Sequence, residues 1–297
     1  MSTHVFGGII TANGIAANNR GENEGNITTL QKVLWNDQVH TTVSSEAIRW
    51  AIRYYWQTTG QEVNRVWNDE TEDHEWRDDH FSTWSQKGKK TFIDDDVLGF
   101  MLAEGAKKEG GSGKGKGTTE KRRGVLEIAR AVSTTPFAGD LTFNAKSGEK
   151  GRTSLYGAEV HATRYQFGFA FTPERLKDKS RAPHVLDALA NLGEVAGNHS
   201  RFLFDFSPES VVLRVTDDPA PRILYCFTQN DDGSISAEDL VRRVNAGDID
   251  ASELFIGGPL AANEEIKRLK GIQLFDGVKA CFTQCKSVLK KSIKKKG

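Results

Sequence analysis

Arg49, Arg53 and Trp56 recur at i, i+4 and i+7 in SSEAIRWAIRYYW, a spacing that lines three side chains along one face of a helix. Two guanidinium groups one turn apart can meet consecutive phosphates of a nucleic acid, with an aromatic ring alongside for stacking. The alternative is an exposed amphipathic helix whose arginines lay their stems along its surface. A second group, Gly197-Asn198-His199-Ser200-Arg201, joins a helical pattern to an extended one. Its glycine permits close approach, and its four polar side chains donate hydrogen bonds to phosphate or ribose 2′-OH. A plain helix cap and turn would use the same residues.

The remaining constellations lead to less. Gly110, Gly115 and Lys116 match G-x-x-x-x-G-K, but Gly117 stands where Mg²⁺ binding needs a hydroxyl. The glycine-rich stretch therefore reads as a flexible, basic linker. DETEDHEWRDDH offers His74, Glu75, Asp78, Asp79 and His80, without the spacing of a known metal site, and is read as a solvated acidic face. Asp94-Asp95-Asp96 is read as extended, so its carboxylates would not converge on one ion. Cys281 and Cys285 lie one helical turn apart with no histidine nearby and are read, with Cys226, as packed thiols. No G-x-S-x-G or H-E-x-x-H motif occurs. No catalytic residue, metal or cofactor is expected.

These groups need elements to position them. HVFGGIITANGIAANNRG reads as a strand that ends in a Gly/Asn-rich loop. In the next helix, 44–57, Ser44 or Ser45 caps, Glu46 suits the dipole, and Ala47, Ile48, Ala51, Ile52 and Tyr55 form the core face. Residues 58–104 match neither regular strand nor regular helix and read as an insertion. VLEIARAVSTTPF reads as a strand, and AGDLTFNAKSGEKGRTSLYG as two extended arms around a Gly/Ser/Lys turn. Tyr165, Phe167, Phe169 and Phe171 alternate as in a strand with one buried face. Pro183 can open a helix carrying Val185, Leu189 and Leu192, with Gly197 placed to end it. FLFDFS, VVLRVT and ILYCF look extended, and 237–246 and 262–294 look helical. Without the insertions the order is βαββαβ, the ferredoxin-like plan of an α+β protein, which also underlies the RNA-recognition motif.

Composition fits a folded chain that works without a membrane. Of 297 residues, 37% are hydrophobic and 27% charged, which suits a globular core and argues against disorder. No apolar run approaches the ~18 residues of a spanning helix, and MSTHVFGGII lacks the basic start of a signal peptide. Three cysteines give no disulfide framework, so a cytoplasmic setting is expected. Forty basic and forty acidic residues cancel, but they are segregated. Residues 61–104 hold twelve acids and five bases, residues 105–152 eleven bases and five acids, and the tail from Lys286 six lysines and no acid. Such patches can steer a polyanion in one place and repel it in another.

Three pieces together resemble a known family: the first strand leading into AANNRGENEGN, the VSSEAIRWAIRYYW helix and the GNHSR turn. The chain is similar to DevR-type backbone subunits of type I CRISPR surveillance complexes (Cascade), most like the I-B branch. The resemblance covers about 200 residues in patches, least in 58–118 and the tail. It implies a palm like an RNA-recognition motif, a finger-like insertion after the first helix and a β-hairpin thumb. It also implies partners: a CRISPR RNA, further copies head to tail along it, other Cascade subunits, and a target DNA strand reached through the guide. Each copy would grip the guide's backbone, and bases would read the target, in antiviral defence or guided transposition.

Carried onto this sequence, the resemblance places 1–57 in the palm, 58–123 in the fingers and 124–135 in a palm strand. The thumb would be 136–156 and the rest of the palm, with C-terminal helices and a basic tail, 157–297. RNA contacts would fall on Asn18, Asn19 and Arg20, on Ser44, Ser45, Arg49 and Arg53, and on Asn198, His199, Ser200 and Arg201. Phe137, Lys146, Lys150, Arg152 and Tyr156 would lie on the thumb, against RNA or a neighbouring copy. Relatives in type III complexes cut RNA with an Asp in the loop before the first helix, where Asp37 and His40 stand here. A CRISPR-associated endoribonuclease is therefore the alternative reading.

Overall fold

The computed structural model describes residues 2–17, 23–85, 90–103, 119–145, 155–193, 195 and 203–296. Among them the strand His4–Thr11 lies at the centre of a nine-stranded sheet. It pairs antiparallel with Pro208–Thr216 on one side and with Tyr165–Phe171 on the other. Beyond Tyr165–Phe171 come Ala131–Ser133, Gln38–Val43 and Lys32–Trp35, and beyond Pro208–Thr216 come Leu254–Gly257 and Gln273–Phe275. Leu126–Ile128 also pairs with Tyr165–Phe171. The central strand reads VFGGIIT without polar alternation because both of its faces are covered.

On one face, Val5, Ile9, Phe167, Phe169, Val211 and Leu213 pack against the helices Ser45–Thr58, Ala182–Ala190 and Val278–Lys296. On the other, Phe6, Ile10, Val212, Leu254 and Ile256 are covered by residues around Ile223, Leu240 and Ile266. The aromatic alternation in Tyr165–Phe171 requires space at the sheet centre. Gly7 sits opposite Phe169 in register, and a Cβ on Gly7 would lie 2.0 Å from the Phe169 ring. Glycine here makes room for the ring rather than for an unusual backbone.

Several expectations from sequence are corrected. Residues 58–104 are not irregular: Arg65–Asn68 and Asp73–Trp76 form a hairpin, Ile93–Val97 a short helix, and Gly99–Ala103 pairs with Thr119–Arg123. The 124–135 stretch is two short strands, Leu126–Ile128 and Ala131–Ser133. The described part of FLFDFS, 203–207, is not a strand, and neither is ILYCF. Arg222 and Tyr225 take positive φ, which breaks the extended run. Ile223, Cys226 and Phe227 instead drop their side chains onto the sheet, and the Gln166 amide exchanges hydrogen bonds with Phe227 N–H (3.2 Å) and C=O (3.0 Å). The predicted helix 262–294 divides into Glu264–Arg268, the strand Gln273–Phe275 and Val278–Lys296, with Gly271 at φ +104° between the first two.

VVLRVT and 237–246 appear as expected, within the strand Pro208–Thr216 and as the helix Glu238–Asn245. Residues on either side of the Gly/Ser/Lys turn pair antiparallel, Leu141–Ala145 with Leu155–Glu159. The P-loop-like glycines 110, 115 and 117 and Gly197 lie outside the described residues. Cys226, Cys281 and Cys285 are buried and unbridged. Burial pushes the Cys226 and Cys285 thiols up to about 12, so they stay protonated and pack as small hydrophobes. Replacing Gly7 by Ala should cost about 1–3 kcal/mol through overpacking against Phe169, read as a lower urea midpoint with an unchanged m-value.

Candidate nucleic-acid interface

Ser44 caps the first helix, its Oγ accepting from Ala47 N–H at 3.2 Å. Ser45 Oγ donates to the Glu46 carboxylate at 3.2 Å. Backbone hydrogen bonding at Glu46 itself, then Ser45, Arg130 and Ser44, hold that carboxyl below its ordinary range. The start of the helix thus carries an ionised acid beside the two serines, and the Ser44 oxygen is already engaged.

The stripe on this helix is not exposed. Arg53 is 8% exposed and Trp56 0%. Arg53 Nε donates to Asp94 Oδ2 at 3.2 Å, and Trp56 Nε1 donates to His184 C=O at 3.0 Å. Arg49 is half-buried, with Nη2 donating to Leu98 C=O at 2.6 Å. Burial, then the neighbouring Arg53, lower the Arg49 pKa from its ordinary value. A helical wheel cannot show this, because the face opposite the sheet is covered by the insertion. Trp67 of the hairpin meets Trp50 edge-on at 5.5 Å, and the Gln57 amide pairs with both backbone groups of Trp67 at 2.8 Å.

The insertion also brings Asp94, Asp95 and Asp96 into the interior. They are helical rather than extended, and buried rather than solvated. Asp94 accepts from Arg53, Asn64 N–H (2.7 Å) and Arg65 N–H (3.1 Å). Asp96 accepts from Arg122 Nη2 (2.8 Å), Arg181 Nη1 (2.8 Å), Lys177 N–H (2.9 Å) and Asp178 N–H (3.0 Å). Asp95 accepts from Asn64 Nδ2 at 3.0 Å. Its pKa is raised to about 7, by burial first and then by Asp94. Arg53 is therefore a structural cation and leaves the candidate contact set.

Asp37 and His40 are separated by their hairpin. Asn36 and Asp37 form its two-residue turn with φ of +48° and +62°, the geometry that a tight hairpin demands. Asp37 is exposed, whereas His40 is buried with Nδ1 2.7 Å from Ser133 C=O. Thr41 Oγ1 lies 2.8 Å from both His161 Nδ1 and Tyr165 OH. This is a satisfied buried polar chain rather than an acid-base pair open to substrate. The edge of Phe137 meets His161 at 5.5 Å, and Lys32 Nζ lies 4.9 Å from the Phe137 ring centre. Tyr156 is half-buried on the strand Leu155–Glu159. Among the described residues no three His, Cys, Asp or Glu side chains are grouped to hold a metal ion.

Asn18, Asn19, Arg20, Lys146, Lys150, Arg152, Asn198, His199, Ser200 and Arg201 lie outside the described residues. The flanks of 18–20 and of 198–201 are placed, however, and they meet. The Phe204 ring lies over Gly14, 3.1 Å from where a Cβ would stand. Arg164 Nη1 donates to Thr11 C=O at 3.3 Å and also to Glu209. The approach to the first polar loop and the exit from the second are thus joined through one guanidinium. Arg164 Nε is buried without a hydrogen-bond partner among the described residues. Sequence reasoning missed Arg164, since a lone arginine before an aromatic strand carries no motif; only the tertiary contacts reveal it.

The family described as CRISPR-associated negative auto-regulator DevR/Csa2 matches residues 6–232. A protein of Myxococcus xanthus (strain DK1622), described as CRISPR-associated protein Cas7/Cst2/DevR, is 52% identical over 301 residues, 96% of this chain and 98% of the relative. Two solved chains share the fold at 12% identity, with TM-scores of 0.54 and 0.53, covering 95% of this chain and 99% of each of theirs. They come from structures described as a CRISPR RNA-guided surveillance complex, pre-nicking, and a CRISPR RNA-guided surveillance complex.

Two substitutions test the buried acid cluster. Arg53→Met should cost about 3–5 kcal/mol in urea unfolding, because it strands Asp94 without its cation. Asp95→Asn should behave oppositely. A carboxyl whose pKa is higher folded than unfolded binds protons in the native state, so its contribution to stability is lost as pH rises towards about 7. The variant should melt above the parent at pH 8, and that gain should vanish near pH 4.

Proposed function

The chain belongs to the DevR/Csa2 family, and from that premise we propose that it is a non-catalytic backbone subunit of a CRISPR surveillance complex. In this reading each copy holds a short stretch of CRISPR RNA by its phosphates and sugars. Several copies lie along the guide with other subunits, and the bases stay free to pair with target DNA. The observation that carries the reading is the 52% identity to a Cas7/Cst2/DevR protein across nearly the full length of both chains.

The fold is consistent with it. The order Pro208–Thr216, His4–Thr11, Tyr165–Phe171, then Ala131–Ser133, with Ser45–Thr58 and Ala182–Ala190 on one face, is read as a ferredoxin-like palm. Residues 58–123 are then the fingers and the hairpin within 136–156 and its continuation to Glu159 the thumb. Grip on RNA is assigned to the two polar loops, Asn18–Arg20 and Asn198–Arg201, whose flanks Arg164 joins, with Arg49 and the serines 44 and 45 at their side. No helix among the described residues is long and apolar enough to cross a membrane.

Asp37 argues for the endoribonuclease alternative only by its residue type. It stands at a solvent-facing turn, apart from the buried His40, and has no hydrogen-bonded acid-base partner among the described residues. Purified protein incubated with precursor and target RNA, with and without Mg²⁺ or Mn²⁺, should leave both intact. Cutting that disappears in Asp37→Ala would overturn the non-catalytic assignment.

The protein purified under mild conditions should carry RNA of uniform length. Its affinity for RNA should fall steeply with salt as phosphate contacts release counterions. Arg201→Ala should weaken binding about equally for all sequences and flatten the salt slope by about one. Salt-independent affinity, or a strong base preference, would contradict a grip on the backbone.

A further inference from the structure

A groove of about 530 Å³ opens where the Ala182–Ala190 helix meets the Val278–Lys296 helix. Its floor is apolar, from Ala182, Pro183 and Leu289, and its rim carries Lys179, Lys286 and Lys290. Lys286 is bonded to Asp187, while Lys179 and Lys290 have no carboxylate partner among the described residues. The guide-binding role proposed above makes no use of this groove.

The tip of the hairpin formed by Arg65–Asn68 and Asp73–Trp76 has the opposite character. Asp69, Glu70, Glu72 and Asp73 are all exposed, with no basic residue among them. The tip is held in shape, since Asn68 Oδ1 accepts from Glu70 N–H (2.8 Å) and Thr71 N–H (3.3 Å). Behind it Trp76 is 42% exposed, capped on one side by Arg65 at 4.3 Å. An acidic turn backed by an aromatic ring matches a groove with an apolar floor and an ammonium rim.

Among the described residues no hydrogen bond or ion pair joins the two surfaces within one chain. The hairpin packs on the Ser45–Thr58 helix through Trp67, Trp50 and Gln57. That helix reaches Ala182–Ala190 through Trp56 and His184, and Lys286 then ties Ala182–Ala190 to Val278–Lys296. The contacts thus run from the hairpin to the far wall of the groove by way of two helices. Complementary but different surfaces on one chain produce a heterologous contact, which propagates instead of closing as a two-fold dimer.

We propose that the acidic hairpin tip of one copy seats in the lysine-rimmed groove of the next. The inference rests on the reading that several copies line one guide, and it names the surfaces that join them. RNA is the competing occupant, but phosphates would use the lysines and leave the apolar floor uncovered. The acidic tip itself is repelled by a polyanion and is complementary to a cationic surface.

The test is a charge exchange. Lys179→Glu with Lys290→Glu, and Asp69→Lys with Glu70→Lys and Glu72→Lys, are made separately and then together in one chain. Sedimentation velocity of the RNA-free chain, and loading onto an RNA long enough for several copies, report the contact. Each set alone should weaken self-association and cooperative loading by about tenfold or more, and the combined chain should recover most of it. Binding to an RNA that admits a single copy should stay unchanged, and thermal melts check that each variant is folded. No loss in either set, or no recovery in the combined chain, overturns the proposal. Weaker single-copy binding in the lysine variant also overturns it and makes the groove a nucleic-acid surface. Should the parent chain bind no RNA at all, the guide-binding function fails, while sedimentation without RNA still decides the contact.

Discussion

A carboxylate withdrawn from water needs cations or hydrogen-bond donors around it, and three in a row need them from several directions at once. Asp94, Asp95 and Asp96 meet that demand with Arg53 from the first helix, Asn64 and Arg65 from the insertion, and Arg122 and Arg181 from two later segments. The cluster therefore joins parts of the chain more than eighty residues apart. It also decides what the first helix can do. Arg53 neutralises Asp94, Trp56 is committed to the His184 carbonyl, and Arg49 is left at the margin of the buried group.

The sheet imposes the second constraint. Its centre is crowded by aromatic rings from Tyr165–Phe171, and the Gly7 position accommodates one of them. With a core on each face, the sheet is a rigid platform whose strand ends carry the connecting segments. Thr11 ends one central strand and Glu209 lies near the start of its neighbour, and Arg164 bonds to both. Two polar loops nearly two hundred residues apart in sequence thereby have adjoining bases. The grip on a sugar-phosphate chain proposed for these loops would draw its geometry from the sheet rather than from a single motif.

Zero net charge conceals a segregated charge distribution. Two groups of acids in the insertion have different fates: Asp94–Asp96 are neutralised inside, and those of the hairpin tip stay in water. The lysines of the last helix remain partly outside, above an apolar groove. A polyanion approaching this surface meets attraction and repulsion in different places, which favours one orientation over others.

Local chemistry was legible in the amino-acid order. The cap at Ser44, the period-two aromatics of Tyr165–Phe171, the proline-opened helix at Ala182 and the α+β character all follow from interactions within a few residues. So did the kinship, which rests on short pieces such as AANNRGENEGN and SSEAIRWAIRYYW. Exposure was not legible. A helical wheel assumes one covered face, but the insertion covers Arg53 and the Ala182–Ala190 helix receives Trp56, so both turned out to be interior. Extended-looking ILYCF became a loop because its side chains dock on the sheet face while its backbone finds a partner in Gln166. Arg164 and the acid cluster depend on contacts between distant segments, and the energy of such contacts belongs to the pairing of elements. Only the folded chain brings those elements together.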